Sequence, residues 1–177
     1  MKISDFQLHK LEDYNQIKSF ECEDSDLNDF IFEDTLNYHK QLMGVTYLIV
    51  DEKKDNIVAY TLFNDKITRY ENERSIWNRL SKSLPNSKRR KHYPAVKIGR
   101  LAVDKNYSNY GLGSGILTFL KILFTSGNRT GCRFITIDAY RTALPFYEKN
   151  GFAYMTEKDN KDDTRLMFFD LKSFIPQ

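Results

Sequence analysis

The feature that most constrains this chain is a polar loop carrying closely spaced glycines. An apolar run feeds the loop, which opens straight into a second apolar run of helical period. It reads Ile98-Gly-Arg-Leu-Ala-Val-Asp-Lys-Asn-Tyr-Ser-Asn-Tyr-Gly-Leu-Gly-Ser-Gly-Ile-Leu117. Ala95 to Val103 has strand character, and Asp104 to Gly111 is a turn. Ile116, Leu117, Leu120 and Leu123 then recur as the buried face of a helix from about Gly113 to Thr125. A helix that starts at such a loop presents unpaired backbone N–H groups and roughly half a positive charge. Glycines at 111, 113 and 115 remove the Cβ atoms that would hold a phosphate away, so the backbone itself can wrap one. The plainer alternative is a glycine-rich helix start with no ligand. A Walker loop is excluded, because no Lys-Ser or Lys-Thr follows the glycines. A dinucleotide fingerprint wants glycine at position 116, which is Ile, and an acidic residue at the end of a second parallel strand. Neither requirement fits.

The rest of the chain supplies a mixed α/β pattern. Phe6 to Leu8 reads as an opening strand and Lys10 to Phe20 as a first helix. Ser25 is an N-cap for a second helix, with Leu27, Phe30, Ile31, Tyr38 and Leu42 on one face and Gly44 at its end. Val45 to Val50 and Ile57 to Phe63 read as a strand pair joined by a polar connection. The stretch from Asp65 to Tyr93 interrupts the rhythm as a helical insertion, with Ile76, Trp77, Leu80 and Leu84 on one face and Pro85 closing it. Phe134 to Asp138 is a strand and Ala143 to Asn150 a short helix ended by Gly151. Phe152 to Met155 and Leu166 to Leu171 close the chain as strands. The expectation is one domain over residues 1–177, with a central sheet of six or seven strands and about four helices.

Composition narrows the setting. A chain of 177 residues buries about 70% of its unfolded surface and needs no staple or metal. The apolar runs fall short of the roughly 18 to 20 residues of a membrane span. Residues 1–10 carry no apolar signal-peptide core. Cys22 and Cys132 fit no metal-ligand spacing and read as reduced core or boundary residues. A cytoplasmic protein without metal or membrane is expected. A net charge of +3 argues no polyanion partner by itself, although Lys88, Arg89, Arg90, Lys91 and His92 form one basic run.

A second segment lies about thirty residues after the glycine loop: Ala143-Leu-Pro-Phe-Tyr-Glu-Lys-Asn-Gly-Phe152. With Arg-Leu-Ala-Val-Asp, the loop Tyr-Ser-Asn-Tyr-Gly-Leu-Gly-Ser and the strand ending in Asp138-Ala139, it resembles the GNAT N-acetyltransferase family. The likeness covers nearly the whole chain and is densest from Tyr93 to Phe152. It implies a GNAT fold and acetyl-CoA as cosubstrate. The backbone of Leu101, Ala102 and Val103 would pair with the pantetheine amides, and a backbone N–H of that strand would meet the oxyanion. Ser108, Asn109, Tyr110, Gly111, Leu112, Gly113, Ser114 and Gly115 would cradle the pyrophosphate. Tyr147 matches the family position whose hydroxyl protonates the departing thiolate, a role suited to a phenol that is neutral at pH 7. Without the motif Tyr147 reads as a core aromatic beside Phe146. Ser108 stands where the family usually has Gln or Arg, Asn109 where it has glycine, and Tyr140 where it often has Asn. The cradle therefore rests mainly on backbone.

For the acceptor, Phe20 to Phe30, Thr46-Tyr-Leu48 and Ile57 to Leu62 are similar to a subgroup that includes aminoacyl-tRNA-acetylating toxins of bacterial toxin–antitoxin pairs. That resemblance implies two partners, tRNA through Lys88, Arg89, Arg90 and Lys91, and an antitoxin. A second copy of the chain, a small-molecule amine acceptor and a non-catalytic scaffold stay open as alternatives, and the basic run equally reads as a solvated surface loop. An α-amine has a pKa near 7.7 to 8.0 and needs no dedicated base, whereas a lysine near 10.4 does. No base is assignable from the sequence; Asp138, Glu148 and His92 are the nearby candidates. Neither cysteine is suggested as a nucleophile, so transfer is expected to be direct.

Overall fold

The computed structural model describes residues 6–17, 20–53, 55–68, 77, 78, 80, 84, 91–126 and 130–175. Its strands are β1 (Gln7–Lys10), β2 (Val45–Val50), β3 (Asn56–Thr68), β4 (His92–Val103), β5 (Phe134–Tyr140), β6 (Ala153–Tyr154) and β7 (Thr164–Asp170). The helices are α1 (Ser25–Asp29), α2 (Thr35–Lys40), α3 (Leu112–Thr125) and α4 (Leu144–Lys149); a π-helical segment, Phe30–Asp34, joins the first two. The strands form one seven-stranded sheet in the order β1-β2-β3-β4-β5-β7-β6. It is mixed: β4 and β5 run parallel, while β1 with β2, β2 with β3, β5 with β7 and β6 with β7 are antiparallel. The expected mixed α/β architecture is the one observed.

Contacts divide the chain into two compact units, Met1–Asn64 with Ile98–Leu123 and Asp65–Lys97 with Phe124–Gln177. The first packs Leu11, Phe20, Ile31, Leu48, Val50, Ala59 and Ala102 into one apolar cluster. Alternation along β2 explains the choice, since Leu48 and Val50 share a face two residues apart. On that same face the Thr46 and Thr61 hydroxyls, 2.8 Å apart, satisfy each other. The second unit packs Trp77, Leu80, Leu84, Tyr93, Phe134, Met155 and Phe168 together, with the Phe134 ring edge-on to both Tyr93 and Phe168. Trp77 and Leu80 are helical and buried, as the insertion's spacing predicts; Ile76 and Pro85 lie outside the described residues.

Three local expectations need correction. The described residues between Lys10 and Phe20 form no α-helix: β1 runs to Lys10, and a 3-10 turn, Tyr14–Gln16, comes after it. Asp13 and Gln16 close that turn with a reciprocal capping box, which satisfies its N–H groups without further helix. The N-cap of α1 is Asp24, whose carboxylate accepts from the Leu27 N–H, and Ser25 is already helical. Leu42 is not on the buried face. The helix stops at Lys40, and Leu42 takes a left-handed φ of 57° with 92% of its surface exposed. Among the described residues no helix is long and apolar enough to cross a membrane.

Candidate functional site

In the first unit, the end of β4 leads into a loop tied down by one carboxylate. Asp104 is buried and donates its own N–H to Ile57 O at 2.8 Å. One of its carboxylate oxygens accepts from Glu21 N at 2.9 Å. The other accepts from Asn106 N and Asn106 Nδ2 at 2.9 and 3.0 Å, capping the 3-10 turn Lys105–Tyr107. Tyr107 adds a bond from its hydroxyl to Asp51 at 3.1 Å; against desolvation, the backbone N–H of Asp55 first and then this hydroxyl hold the carboxyl of Asp51 below its ordinary value. The Ser108 hydroxyl donates to Lys105 O at 3.0 Å, so this side chain is turned into its own loop.

Beyond Ser108 the chain becomes exposed. Asn109 and Gly111 adopt left-handed φ values of 67° and 76°. No atom lies within 4 Å of where a Cβ on Gly111 would stand, so the positive φ, and not crowding, calls for glycine there. Asn is the side chain that tolerates the same conformation at 109. Leu112 is buried and anchors the start of α3, and the first i→i−4 bond runs from Gly115 N to Gly111 O at 3.0 Å. The N–H groups of Leu112 and Gly113 precede that bond and have no intrahelical acceptor. An open, left-handed turn at a 14-residue helix start suits a pyrophosphate, held by backbone N–H groups and the helix dipole.

In the second unit, β5 ends at Tyr140 and passes through a 3-10 turn, Arg141–Ala143, into α4. Pro145 stands in the first turn of α4, where its missing N–H is harmless. Gly151 closes the helix at φ 83°, with Gly151 N bonded to Glu148 O and Phe152 N to Tyr147 O. Tyr147 is 6% exposed, and its ring meets Phe146 and Phe152 edge-on at 4.9 and 5.5 Å. Burial pushes its phenol well above its ordinary value of 10. Its hydroxyl has no hydrogen-bond partner among the described residues.

The base candidates are all engaged. The Asp138 carboxylate accepts from the Lys97 ammonium. His92 Nδ1 lies 3.0 Å from the Thr68 hydroxyl, and Glu148 accepts from the Tyr154 hydroxyl. Burial pushes the Cys132 thiol up to about 11 and raises Cys22 as well, so neither supplies a thiolate at neutral pH. Lys91 is exposed, while Lys88, Arg89 and Arg90 fall outside the described residues. Sequence reasoning missed Asp104 as the hub of the loop and Arg100 as a half-buried cation. The Asp-x-Asn spacing after an apolar strand, an Asx-turn pattern, was the available signal for the first.

The acetyltransferase (GNAT) domain model matches residues 44–154, well over half of the chain. No curated protein matches the sequence. Among solved structures, AtaT complexed with acetyl-methionyl-tRNAfMet is similar at TM-score 0.75 and 20% identity, over 96% of this chain and 97% of that one. A tyrosine-to-phenylalanine mutant of the toxin AtaT, bound to the C-terminus of the antitoxin AtaR and acetyl-CoA, is similar at TM-score 0.70 and 20% identity, over 96% and 95%. A tyrosine-to-phenylalanine mutant of KacT is similar at TM-score 0.71 and 19% identity, over 96% of each chain. At these identities the likeness is one of fold.

Proposed function

The chain belongs to the GNAT acetyltransferase family and is an acetyl-CoA-dependent N-acetyltransferase; from that premise we propose that its acceptor is the α-amine of an aminoacyl-tRNA and that an antitoxin restrains it. The observation that carries the acceptor is the likeness over 96% of the chain to AtaT complexed with acetyl-methionyl-tRNAfMet. The engaged state of Asp138, Glu148 and His92 supports it, because an α-amine is substantially neutral near pH 7.7 to 8.0 without a base.

In the proposed reaction the cosubstrate's pyrophosphate rests on the loop from Ser108 to Gly115. Its pantetheine amides pair with the backbone of Leu101, Ala102 and Val103, at the end of β4. A backbone N–H of that strand receives the carbonyl oxygen as it becomes an oxyanion. The amine attacks the thioester carbonyl, a C–N bond forms, and the amine loses a proton to water. As the C–S bond breaks, the sulfur takes the hydroxyl proton of Tyr147, which solvent later replaces.

The test is acetylation of purified aminoacyl-tRNA with labelled acetyl-CoA, followed by ribonuclease digestion and mass spectrometry of the aminoacyl-adenosine. Parallel arms contain a lysine peptide and a polyamine. N-acetylated aminoacyl-adenosine formed at the highest kcat/KM supports the reading. Turnover confined to the peptide or the polyamine overturns it.

A further inference from the structure

The described arginines include three that are half-buried or more, and they differ in how well their donors are met. Arg165, 7% exposed at the side chain, donates to Asp159 Oδ1, Asn160 Oδ1 and Thr156 O at 2.7, 3.1 and 2.8 Å. Arg133 donates from Nη2 to Asp170 Oδ2 at 2.9 Å, and its Nε lies at ion-pair distance, 2.8 Å, from Asp170 Oδ1, although that Nε–H, like the one of Arg100, is buried without an aligned acceptor among the described residues. Arg100 has no such arrangement. A guanidinium carries five N–H donors. Here one Nη1 bond runs to Gly99 O at 2.9 Å. The nearest carboxylate, Asp26 Oδ2, is 3.7 Å from Nη2, an ion-pair distance too long for a hydrogen bond. The Nε–H is buried with no acceptor among the described residues.

The surroundings hold this cation in place without satisfying it. Its guanidinium lies 4.8 Å from the centroid of the Phe30 ring. Phe30 meets Tyr38 at 5.3 Å and Tyr38 meets Phe63 at 5.7 Å, so three rings run on from the cation. Phe63 presses on Gly99, where any Cβ would stand 1.9 Å from the ring, which keeps the backbone beside Arg100 close to that apolar wall. A planar, permanently charged guanidinium fixed on an aromatic face, its side chain 34% exposed and its Nη2 donors without a hydrogen bond among the described residues, can donate to phosphate oxygens through its Nη groups. It sits one residue before Leu101, at the strand where the thioester is proposed to pair.

We propose that Arg100 is a positioning residue that binds a phosphate at the 3′ end of the acceptor, presenting the esterified α-amine to the strand Leu101–Val103. The Phe30 ring orients it, and the nearby charge of Asp26 competes with the phosphate. The inference rests on the aminoacyl-tRNA reading above. Arg100 also explains how acceptor choice can be made beside a cofactor strand that is otherwise backbone.

The experiment uses the full chain and acetyl-CoA with two acceptors: aminoacyl-tRNA, and the methyl ester of the same amino acid, which has the amine but no phosphate. Arg100→Gln is expected to lower the kcat/KM ratio of tRNA to ester at least tenfold while changing the KM for acetyl-CoA less than twofold. The log–log dependence of tRNA KM on salt should become shallower by about 0.7, the signature of one lost phosphate contact to a single strand. Arg100→Lys should restore the salt slope but only part of the ratio, because an ammonium cannot grip two oxygens. Asp26→Asn, at an exposed position, tests the same idea without touching the arginine. It removes a nearby negative charge and should lower the tRNA KM about threefold. An unchanged ratio, an unchanged salt slope in Arg100→Gln, or a raised tRNA KM in Asp26→Asn overturns the proposal. A wild-type protein inactive on aminoacyl-tRNA sinks the acceptor reading itself, whereas an active one indifferent to Arg100 sinks this inference alone.

Discussion

Replacing Tyr147 by phenylalanine removes one oxygen and little else, so the consequences can be worked from its surroundings. The ring is fixed by Phe146 and Phe152, both edge-on, and by its place on α4 between Pro145 and Gly151. Phenylalanine preserves all of those contacts. The lost hydroxyl has no hydrogen-bond partner among the described residues, so folding stability should move by less than about 1 kcal/mol. Turnover should respond much more. A proton donor in the transition state is worth about 10² to 10⁴ in rate, or about 3 to 5 kcal/mol of barrier. Because burial raises the phenol above 10, it stays protonated through pH 6 to 9. The wild-type kcat should therefore show no alkaline limb from this residue, and the defect of Tyr147→Phe should be the same at every pH in that range. Thiol release is followed with a chromogenic disulfide, and acetyl-CoA affinity by calorimetry. A mutant within threefold of wild-type turnover would remove Tyr147 from the mechanism. A mutant that loses acetyl-CoA affinity in step with turnover would make it a binding residue instead.

Other positions give sharper structural tests. Tyr60 is 1% exposed, stacks on Tyr47 at 5.3 Å and has a buried hydroxyl without a partner among the described residues, so Tyr60→Phe should stabilise the fold by about 1 kcal/mol in urea titrations at pH 8. Its phenol is raised in the folded state, which makes its protonated form a source of stability below pH 10 that is lost as pH rises above it; at pH 11 the wild type should lose about 1 kcal/mol that Tyr60→Phe does not, and equal losses would refute the burial argument. Gly111→Ala should cost about 1 kcal/mol of stability through its φ of 76° alone, with a several-fold rise in the KM for acetyl-CoA, and Gly111→Asn should recover most of both. Arg165→Met should cost about 3 kcal/mol by leaving the half-sheltered Asp159 carboxylate without its partner, and a shift under 1 kcal/mol in the denaturation midpoint energy would show the pair to be solvated.

The features legible in the sequence are those that repeat locally. β2 is read to the residue, because Val45–Val50 is bounded by Gly44 on one side and Asp51 on the other. Helix α3 and the glycine turn are set by the period of Ile116, Leu117 and Leu120 and by residues able to take a positive φ. The failures are places where a local hydrogen bond outcompetes a pattern. Leu11, Tyr14 and Ile17 have helical spacing, yet Leu11 donates to Thr46 O and Asp13 closes a single turn, so the run feeds a strand edge instead. Leu42 has the right period and the wrong backbone, because the chain must turn within Gln41 to Gly44 to enter β2. The pairing of the candidate base Asp138 is invisible to local pattern because Lys97 is forty-one residues away in sequence.

The two halves of the reaction are therefore recorded in the chain in different ways. The acyl-donor half is contiguous: a strand end, an Asp104-anchored loop, two left-handed residues and a helix start, all within twenty residues and argued from backbone. Ser108 sharpens this, since its hydroxyl is bonded to Lys105 O and, in the proposed cradle, phosphate would be held without the long side-chain donor usual there. The acceptor half proposed above has no such continuity. Asp26, Phe30, Tyr38, Phe63 and Arg100 are scattered along the chain over separate elements, and none is distinctive by type or spacing. A side-chain site of this kind can be rebuilt by single substitutions without disturbing the cradle. Changes at Arg100 or Phe30 should accordingly redirect the acceptor while acetyl-CoA binding persists.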